Sequence, residues 1–164
     1  MSPPQVADAG GEPGESGAPL RALLQGLLDA IDRADLDALA PLFCAEAGMY
    51  FPFRNSVELV AGAPAVLARF ERMFADLRAR AAAAAGPPYV GFRIERFESH
   101  PLGDRHALVR ATLAFADQLG QRTIIARRND GDWRILHVHA SNQPAARVAA
   151  PGAAGPPAAG PAPF

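Results

Sequence analysis

The apolar residues near the start of the chain recur with the period of an α-helix. From Leu20 to Ile31, leucine or isoleucine returns at intervals of three and four residues, which places these side chains along one stripe of a helix. Pro19 suits the first turn of such a helix, where a backbone N–H is not needed. The pattern predicts an amphipathic helix with one face directed at a core.

Two more helices are predicted downstream. Asp35 can cap a short second helix, which Pro41 should end or bend early. A third helix is predicted from Pro64 to about Ala85, because Gly86 and the two prolines after it form a strong stop signal. The inward-facing residues of this third helix are predicted to be Val66, Leu67, Phe70, Met73, Phe74 and Leu77.

The segment between the second and third helices predicts two short strands. Gly48–Phe53 is aromatic and extended in character, but Pro52 interrupts it and therefore favours a place near the edge of a sheet. Residues 56–61 are predicted to give the other strand.

From Tyr89 onward the hydrophobic period changes from 3.6 residues to 2. This alternation predicts four antiparallel strands, over 90–97, 107–115, 122–128 and 133–141. The predicted turns between them lie at Pro101–Asp104, at Leu119–Gly120 and at Asn129–Gly131. Helices followed by a meander of strands indicate an α+β fold, in which the helices cover one face of a curved sheet.

The composition divides the chain into one domain and two tails. Residues 1–17 are rich in Pro, Gly and acidic residues, and 143–164 consist almost entirely of Ala, Pro and Gly, so both are expected to be disordered. The domain is then predicted to span residues 18–142. Two roles for the second tail stay open, a flexible linker or docking segment and an inert extension.

Charge and motif content exclude several classes of function. The net charge is −1, with no basic face to indicate nucleic-acid binding. No apolar run is long enough for a membrane span, and the first residues do not resemble a signal peptide. Cys44 is the single cysteine, so a cytoplasmic location is expected. No dinucleotide or phosphate-binding motif and no metal-binding cluster occurs, so we predict no cofactor.

Three local motifs resemble a known family. Asp35–Ala40, Met49–Pro52 and above all Asp130–Ser141, with its Trp133 and its His-Val-His ending, are similar to the SnoaL-like branch of the NTF2-like superfamily. The ending is also similar to the association domain of calcium/calmodulin-dependent kinase II. The resemblance implies an NTF2-like (cystatin-like) cone, with three N-terminal helices packed on a curved, mostly antiparallel sheet.

The resemblance leaves the activity open, because the superfamily contains both enzymes and binding or assembly domains. Ketosteroid isomerase relatives carry an acidic base just before the proline of the first strand motif, and here that position is Phe51. Epoxide hydrolase relatives use aspartates around an arginine, whereas the same-face neighbours of Arg110 are Leu108 and Thr112. Both comparisons favour a protein without catalysis.

His137 and His139 form the one histidine pair of the predicted sheet. Strict alternation places them on one face with Ile135, where they could contact a ligand or catalyse with Tyr50. A metal site would need a third ligand, and none is evident, so no metal is predicted. The similarity to the kinase association domain implies the opposite arrangement, in which the histidines are architectural and Arg134, Leu136, Val138 and Ala140 line the pocket.

These observations predict a mostly apolar pocket between the third helix and the sheet. The candidate walls are Tyr50, Phe51, Phe53, Phe70, Phe74, Leu108 and Ile124. Tyr50 and Arg110 are the candidate polar groups, and Arg110 could anchor a carboxylate, polarise a carbonyl or simply form an ion pair.

The expected function is binding of a hydrophobic small molecule without catalysis. The alternative is a lyase, isomerase or cyclase acting on a polyketide-like or steroid-like substrate through His137, His139 or Tyr50. A homodimer is also predicted, because the sheet face would otherwise expose an apolar patch consisting of Val109, Leu113, Phe115 and Ile125.

Overall fold

The helices lie mainly in the first half of the chain and the long strands in the second. The computed structural model describes residues 17–53, 56–81 and 86–145. Its helices are α1 (Gly17–Arg33), α2 (Leu36–Leu39) and α3 (Ala63–Ala81), with a 3₁₀ turn at Ala40–Leu42. Its strands are β1 (Phe43–Tyr50), β2 (Val60–Ala61), β3 (Arg93–Pro101), β4 (His106–Phe115), β5 (Gln118–Asn129) and β6 (Asp132–Pro144). The predicted α+β class is confirmed.

The helix signals in the sequence act as expected. The carboxylate of Asp35 accepts a hydrogen bond of 2.9 Å from the backbone N–H of Ala38, which caps α2. Pro41 lies in the 3₁₀ turn that ends this short helical segment. Residues 82–85, which the sequence assigns to the third helix, lie outside the described residues.

The six described strands form one sheet in the order β2-β1-β6-β5-β4-β3. Neighbouring strands are antiparallel except for β1 and β6, which are parallel. We call the face that packs on α1 and α3 the inner face, and the opposite one the outer face. Side chains of the inner face join the helix leucines in one core, and they include Val109, Leu113, Ile124, Ile135 and Val138.

The first strand differs from its prediction. It begins at Phe43 rather than Gly48 and ends at Tyr50 rather than Phe53. It lies next to the short edge strand β2, so its predicted place near the edge is confirmed. Strand pairing ends before Pro52, which has no N–H to donate. The start was missed because the pairing register shifts between Phe43 and Gly48, which breaks the alternation that marks a strand. Of the strand predicted over residues 56–61, only Val60–Ala61 is found, as β2.

The predicted turn at Leu119–Gly120 is wrong. Both residues lie within β5, where they pair with Ala114 and Leu113. The chain turns instead between β4 and β5, at residues 116–117, where Ala116 has a positive φ of 47°. A glycine usually marks a turn in a sequence, but Gly120 leaves room within the strand for the side chain of Arg122.

The predicted hairpin turn at Asn129–Gly131 is confirmed. Asp130 and Gly131 have φ values of 49° and 93°, as a two-residue hairpin turn requires. At the domain limits, Gly17 belongs to α1, and Gln143 and Pro144 extend β6 by pairing with β5. Residues 1–16 and 146–164 of the two predicted tails lie outside the described residues. No helix of the described part of the chain is long and apolar enough to cross a membrane.

Candidate functional site

A cavity of about 520 Å³ lies between α1, α3 and the inner face of the sheet. Its walls are mainly apolar. They include Leu27 and Leu28 from α1, Phe70 and Met73 from α3, and Val138 from β6. Apolar side chains from separate elements thus surround a space of the size that small-molecule sites usually have.

An aromatic cluster forms one wall of this cavity. The rings of Phe51 and Phe53 stack with centroids 5.7 Å apart, and Phe51 meets Phe70 edge-on at 5.1 Å. The sequence names all three as pocket walls, and all three line the cavity. Phe74 and Ile124 are buried in the adjoining core but do not line the cavity.

The remaining candidate residues lie away from this cavity. Leu108 and Arg110 are on the outer face, because their neighbours Val109 and Ala111 are the residues of β4 that point into the core. Arg110 donates a hydrogen bond of 2.7 Å to Glu98. The structure therefore shows the ion pair among the roles considered for Arg110, beside a second, smaller concavity of about 230 Å³ on the outer face.

Tyr50 also lies on the outer face, together with the histidine pair. Its ring centroid is 5.8 Å from that of His137 and 5.5 Å from that of His139. The parallel pairing of β1 with β6 brings these rings together, since Tyr50 pairs with His139. We call these three residues the His–Tyr cluster. None of them lines the cavity, so a catalytic role for the cluster would require a site on the outer face.

A bulge in β6 explains why strict alternation misplaced the histidines. Ile125 pairs with His137, but the next residue, Ala126, pairs with Ile135, so Leu136 is the extra residue. Ile135 therefore points into the core while His137 points outward. Val138 and Ala140 line the cavity, as the similarity to the kinase association domain implied, whereas Arg134 and Leu136 do not.

Within 17–53, 56–81 and 86–145, no three His, Cys, Asp or Glu side chains form a group that could hold a metal ion.

Arg122 is the polar residue of the cavity that the sequence analysis missed. It is only 8% exposed and lies on the inner face of β5. Its Nη1 donates to the backbone oxygens of Gln121 at 2.8 Å and Ser141 at 3.0 Å, and to Oδ1 of Asn142 at 3.1 Å. Burial lowers the pKa of this guanidinium to about 10, so it still carries its positive charge at neutral pH.

Gly120 provides the space in which this guanidinium lies. A Cβ at position 120 would be 2.9 Å from Nη1 of Arg122 and 3.0 Å from Oδ1 of Asn142. The signal for Arg122 was present in the sequence. Ile124 was assigned to the pocket side, and a residue two positions earlier in a strand shares that side.

Charged residues of α3 surround the opening of the cavity. Arg69, Arg72 and Arg80 line it together with a single carboxylate from the described residues, that of Asp76. The guanidinium of Arg69 lies 5.3 Å from the ring centroid of Phe53. Three positive charges against one negative charge favour the approach of anions.

A carboxylate at the end of α1 holds another part of the rim. Asp32 accepts hydrogen bonds from the backbone N–H groups of Val90 at 3.2 Å, Gly91 at 2.9 Å and Phe92 at 3.2 Å. Val90 and Phe92 both line the cavity. Asp32 thus fixes the segment that closes this side.

The apolar patch from which a homodimer was predicted is not an exposed patch. Val109 and Leu113 are buried under the helices on the inner face, and Phe115 lines the cavity. Only Ile125 of the four is on the outer face. The error follows from choosing the wrong face of β4 as the covered one. The homodimer itself stays a prediction.

Solved structures with this architecture identify the fold. A cystatin-like protein from Caulobacter vibrioides is 16% identical, covers 82% of this chain and 94% of its own, and gives a TM-score of 0.65. A proposed dehydratase of the NTF2-like family from Streptomyces avermitilis is 19% identical, with coverage of 79% and 97% and a TM-score of 0.64. A proposed calcium/calmodulin-dependent protein kinase II association domain from Xanthomonas campestris is 18% identical, with coverage of 76% and 86% and a TM-score of 0.59. These likenesses confirm the NTF2-like, cystatin-like fold.

The family follows from the sequence itself. The model of the SnoaL-like domain matches residues 20–146, which is most of the chain. The chain therefore belongs to the SnoaL-like domain family, as the motifs indicated. No curated protein matches it significantly.

Proposed function

We propose that this protein binds a small, largely apolar molecule in the cavity between α1, α3 and the inner face. The observation that carries the proposal is the cavity of about 520 Å³ with its aromatic and aliphatic walls. Small-molecule sites are commonly concave, apolar and supplied with few polar groups. Here the polar groups are Arg122 and Asn142 on the sheet side and the charged residues of α3 at the opening.

The side chains of the cavity favour binding without turnover. Phe51 occupies the position of the acidic base of ketosteroid isomerase relatives, and its ring forms part of the wall. The arginines of the cavity present N–H donors and no acceptor, so they cannot act as bases. Among the described residues that line the cavity, Asp76 at the opening is the one carboxylate.

The alternative function is that of a lyase, isomerase or cyclase on a hydrophobic substrate. Its specific support is that Asp76 and Arg122 line the same cavity, where a carboxylate could remove a proton and a cation could stabilise the resulting enolate. The His–Tyr cluster does not serve this cavity. The Streptomyces avermitilis relative, a proposed dehydratase, is consistent with this second function but too distant to establish it.

A neutral fluorescent probe tests the binding proposal. N-phenyl-1-naphthylamine should bind the full chain saturably, with the fluorescence increase that follows entry into an apolar site. Ala140→Leu would fill part of the cavity, since Ala140 lies on the sheet wall of the cavity. It should lower the affinity for the probe by about tenfold. Ser141→Leu is the matched control, because the neighbouring side chain points to solvent.

The two outcomes separate clearly when thermal unfolding shows that both variants are folded. Loss of binding in Ala140→Leu alone supports the cavity as the site. Equal binding in the wild type and in both variants would overturn the proposal. Mass spectrometry of a bound compound, before and after incubation, distinguishes binding from catalysis, because an enzyme would return it chemically altered.

A further inference from the structure

The guanidinium of Arg122 has donors that the protein does not use. Its three hydrogen bonds all come from Nη1. In the part of the chain that the structure describes, neither Nε nor Nη2 donates a hydrogen bond. A guanidinium has five N–H groups, so three of them stay free beside the cavity. Neither nitrogen is fully enclosed by protein, so both are open to the space beside the side chain and can meet a ligand there.

The positive charge of Arg122 is also unpaired within the described residues. The carboxylates that form ion pairs there serve other arginines, namely Arg93, Arg110 and Arg127. The nearest polar partners of Arg122 are neutral oxygens. A cation that is more than nine-tenths buried in a mainly apolar wall is costly unless an anion joins it.

A purely structural role does not account for this arrangement. The bonds to Ser141 and Asn142 connect β5 to β6, but they use one nitrogen only. Nε and Nη2 form an edge of the guanidinium that can donate two parallel hydrogen bonds to the two oxygens of a carboxylate. Gly120, which leaves room for the guanidinium, is part of the same arrangement.

We infer that the ligand is an acid with an apolar body, and that Arg122 binds its carboxylate at the sheet wall of the cavity. The apolar body then lies against Phe51 and Phe70. This inference rests on the proposed binding function and adds the chemical class of the ligand. A carboxylate fits better than a phosphate, because a single guanidinium and one amide cannot satisfy a phosphate dianion among apolar walls. The arginines at the opening attract the acid before it enters.

Three probes with the same ten-carbon body test the inference on the full chain. They are decanoate, decanol and decyl phosphate, and each displaces N-phenyl-1-naphthylamine in a competition titration. We expect decanoate to bind at least about tenfold more tightly than decanol, as a charge-assisted pair of hydrogen bonds predicts. Decyl phosphate is expected to be weaker than decanoate.

Substitutions of Arg122 should remove this preference. Arg122→Met keeps much of the side-chain length without the charge. We expect it to lower the affinity for decanoate by about tenfold or more, while the affinity for decanol changes by less than about twofold. Arg122→Lys keeps the charge but loses the planar fork, so an intermediate loss is expected. Gly120→Ala leaves Arg122 in place but forces its guanidinium to move, so it should weaken the binding of decanoate more than that of decanol. The added Cβ would also lie 3.0 Å from Cε1 of Phe115, a cavity wall, and the change in decanol binding measures that separate effect.

Several results would overturn the inference. One is equal affinity of the wild type for decanoate and decanol. Another is a loss in Arg122→Met that is the same for both, which would assign Arg122 a structural role. Tighter binding of decyl phosphate than of decanoate would show that the acidic group of the ligand is a phosphate and not a carboxylate. If Arg122→Met does not fold, Gly120→Ala and the wild-type ratio decide the question.

Failure of the inference can be distinguished from failure of the binding function itself. If neither the naphthylamine probe nor decanol binds, the cavity is not a small-molecule site. If both bind and decanoate binds no more tightly than decanol, the cavity binds apolar molecules, but the inference that the ligand carries a carboxylate fails.

Discussion

Gly120 and Arg122 are coupled through space as well as through sequence. They are two residues apart on the same face of β5, and the guanidinium of Arg122 occupies the place where a side chain at position 120 would begin. The distance of 2.9 Å from an ideal Cβ at Gly120 to Nη1 is shorter than such contacts allow. The glycine and the arginine thus form one arrangement, which holds a positive charge on the wall of an apolar cavity.

Gly120→Ala should displace the guanidinium without disrupting the sheet, because the three atoms in tight contact, Nη1 of Arg122, Oδ1 of Asn142 and Cε1 of Phe115, all belong to side chains. The hydrogen bonds of Arg122 to Ser141 and Asn142 would be lost or weakened, at a cost of about 1 kcal/mol in the free energy of unfolding. Urea denaturation measures this change.

Gly26→Ala is the matched control for that substitution. A Cβ at Gly26 would meet only Leu42, at an ordinary 3.8 Å, and Gly26 lies inside α1. Alanine there should raise the free energy of unfolding by about 0.5–1 kcal/mol. A stabilising effect of Gly120→Ala of similar size would show that the guanidinium does not occupy the position described.

Asp32→Asn should loosen the rim of the cavity. The carboxylate of Asp32 accepts three backbone hydrogen bonds from residues 90–92, and a neutral amide accepts them less strongly. We expect a loss of about 1–2 kcal/mol in the free energy of unfolding. Hydrogen exchange at the amides of 90–92 should become faster.

Asp29→Asn on the same helix is the comparison for Asp32. Asp29 accepts one exposed hydrogen bond from Gln25, so its replacement should change the free energy of unfolding by less than about 0.5 kcal/mol. Equal effects of the two variants on exchange at 90–92 would contradict the anchoring role of Asp32.

Arg110 and the His–Tyr cluster should be dispensable for binding in the cavity. Arg110→Met removes a cation of the outer face that already pairs with Glu98, and the double variant His137→Ala and His139→Ala removes both histidines. In each case the affinity for decanoate and for the neutral probe should stay within about twofold of the wild type. A large loss in either would move the site to the outer face.

Cys44 should resist thiol reagents while the protein is folded. Its side chain is buried in the core, and burial raises the pKa of the thiol, so little thiolate forms at pH 8. Because the folded pKa is raised, the neutral thiol adds to the free energy of unfolding at pH values below its ordinary pKa of 9.0. This contribution is lost as the pH rises through the folded pKa.

Labelling by a disulfide reagent checks this directly. The rate at pH 8 should follow the population of unfolded protein and increase with urea. Rapid labelling of Cys44 in the folded chain would contradict the burial described.

The sequence predicted the elements better than the faces they present. The helix stripe, the Asp35 cap and the hairpin at Asn129–Gly131 follow from local rules, and all three are found. The face of β4 was assigned wrongly, because Arg110 was interpreted as a polar group of the pocket, whereas its side chain marks the exposed face of the strand. Only the cross-strand partners settle which face the helices cover.

The candidate site was predicted in part for the same reason. Phe51, Phe53 and Phe70 follow from large aromatic side chains near the helices, and they line the cavity. Arg122 could not be recognised by type, since an arginine in a strand usually faces solvent. The bulge at Leu136 places the histidines on the outer face, and no residue type in that segment predicts a bulge.

The most direct test of the account is to locate a bound acid on the folded chain. Amide chemical shifts of labelled protein titrated with decanoate would show this. Binding in the cavity predicts saturable shifts at Phe51, Phe70, Arg122 and Val138, with little change at Thr123 and His139 on the outer face. Shifts confined to the outer face, or the absence of any saturable change, would contradict the central claim that the cavity is the binding site.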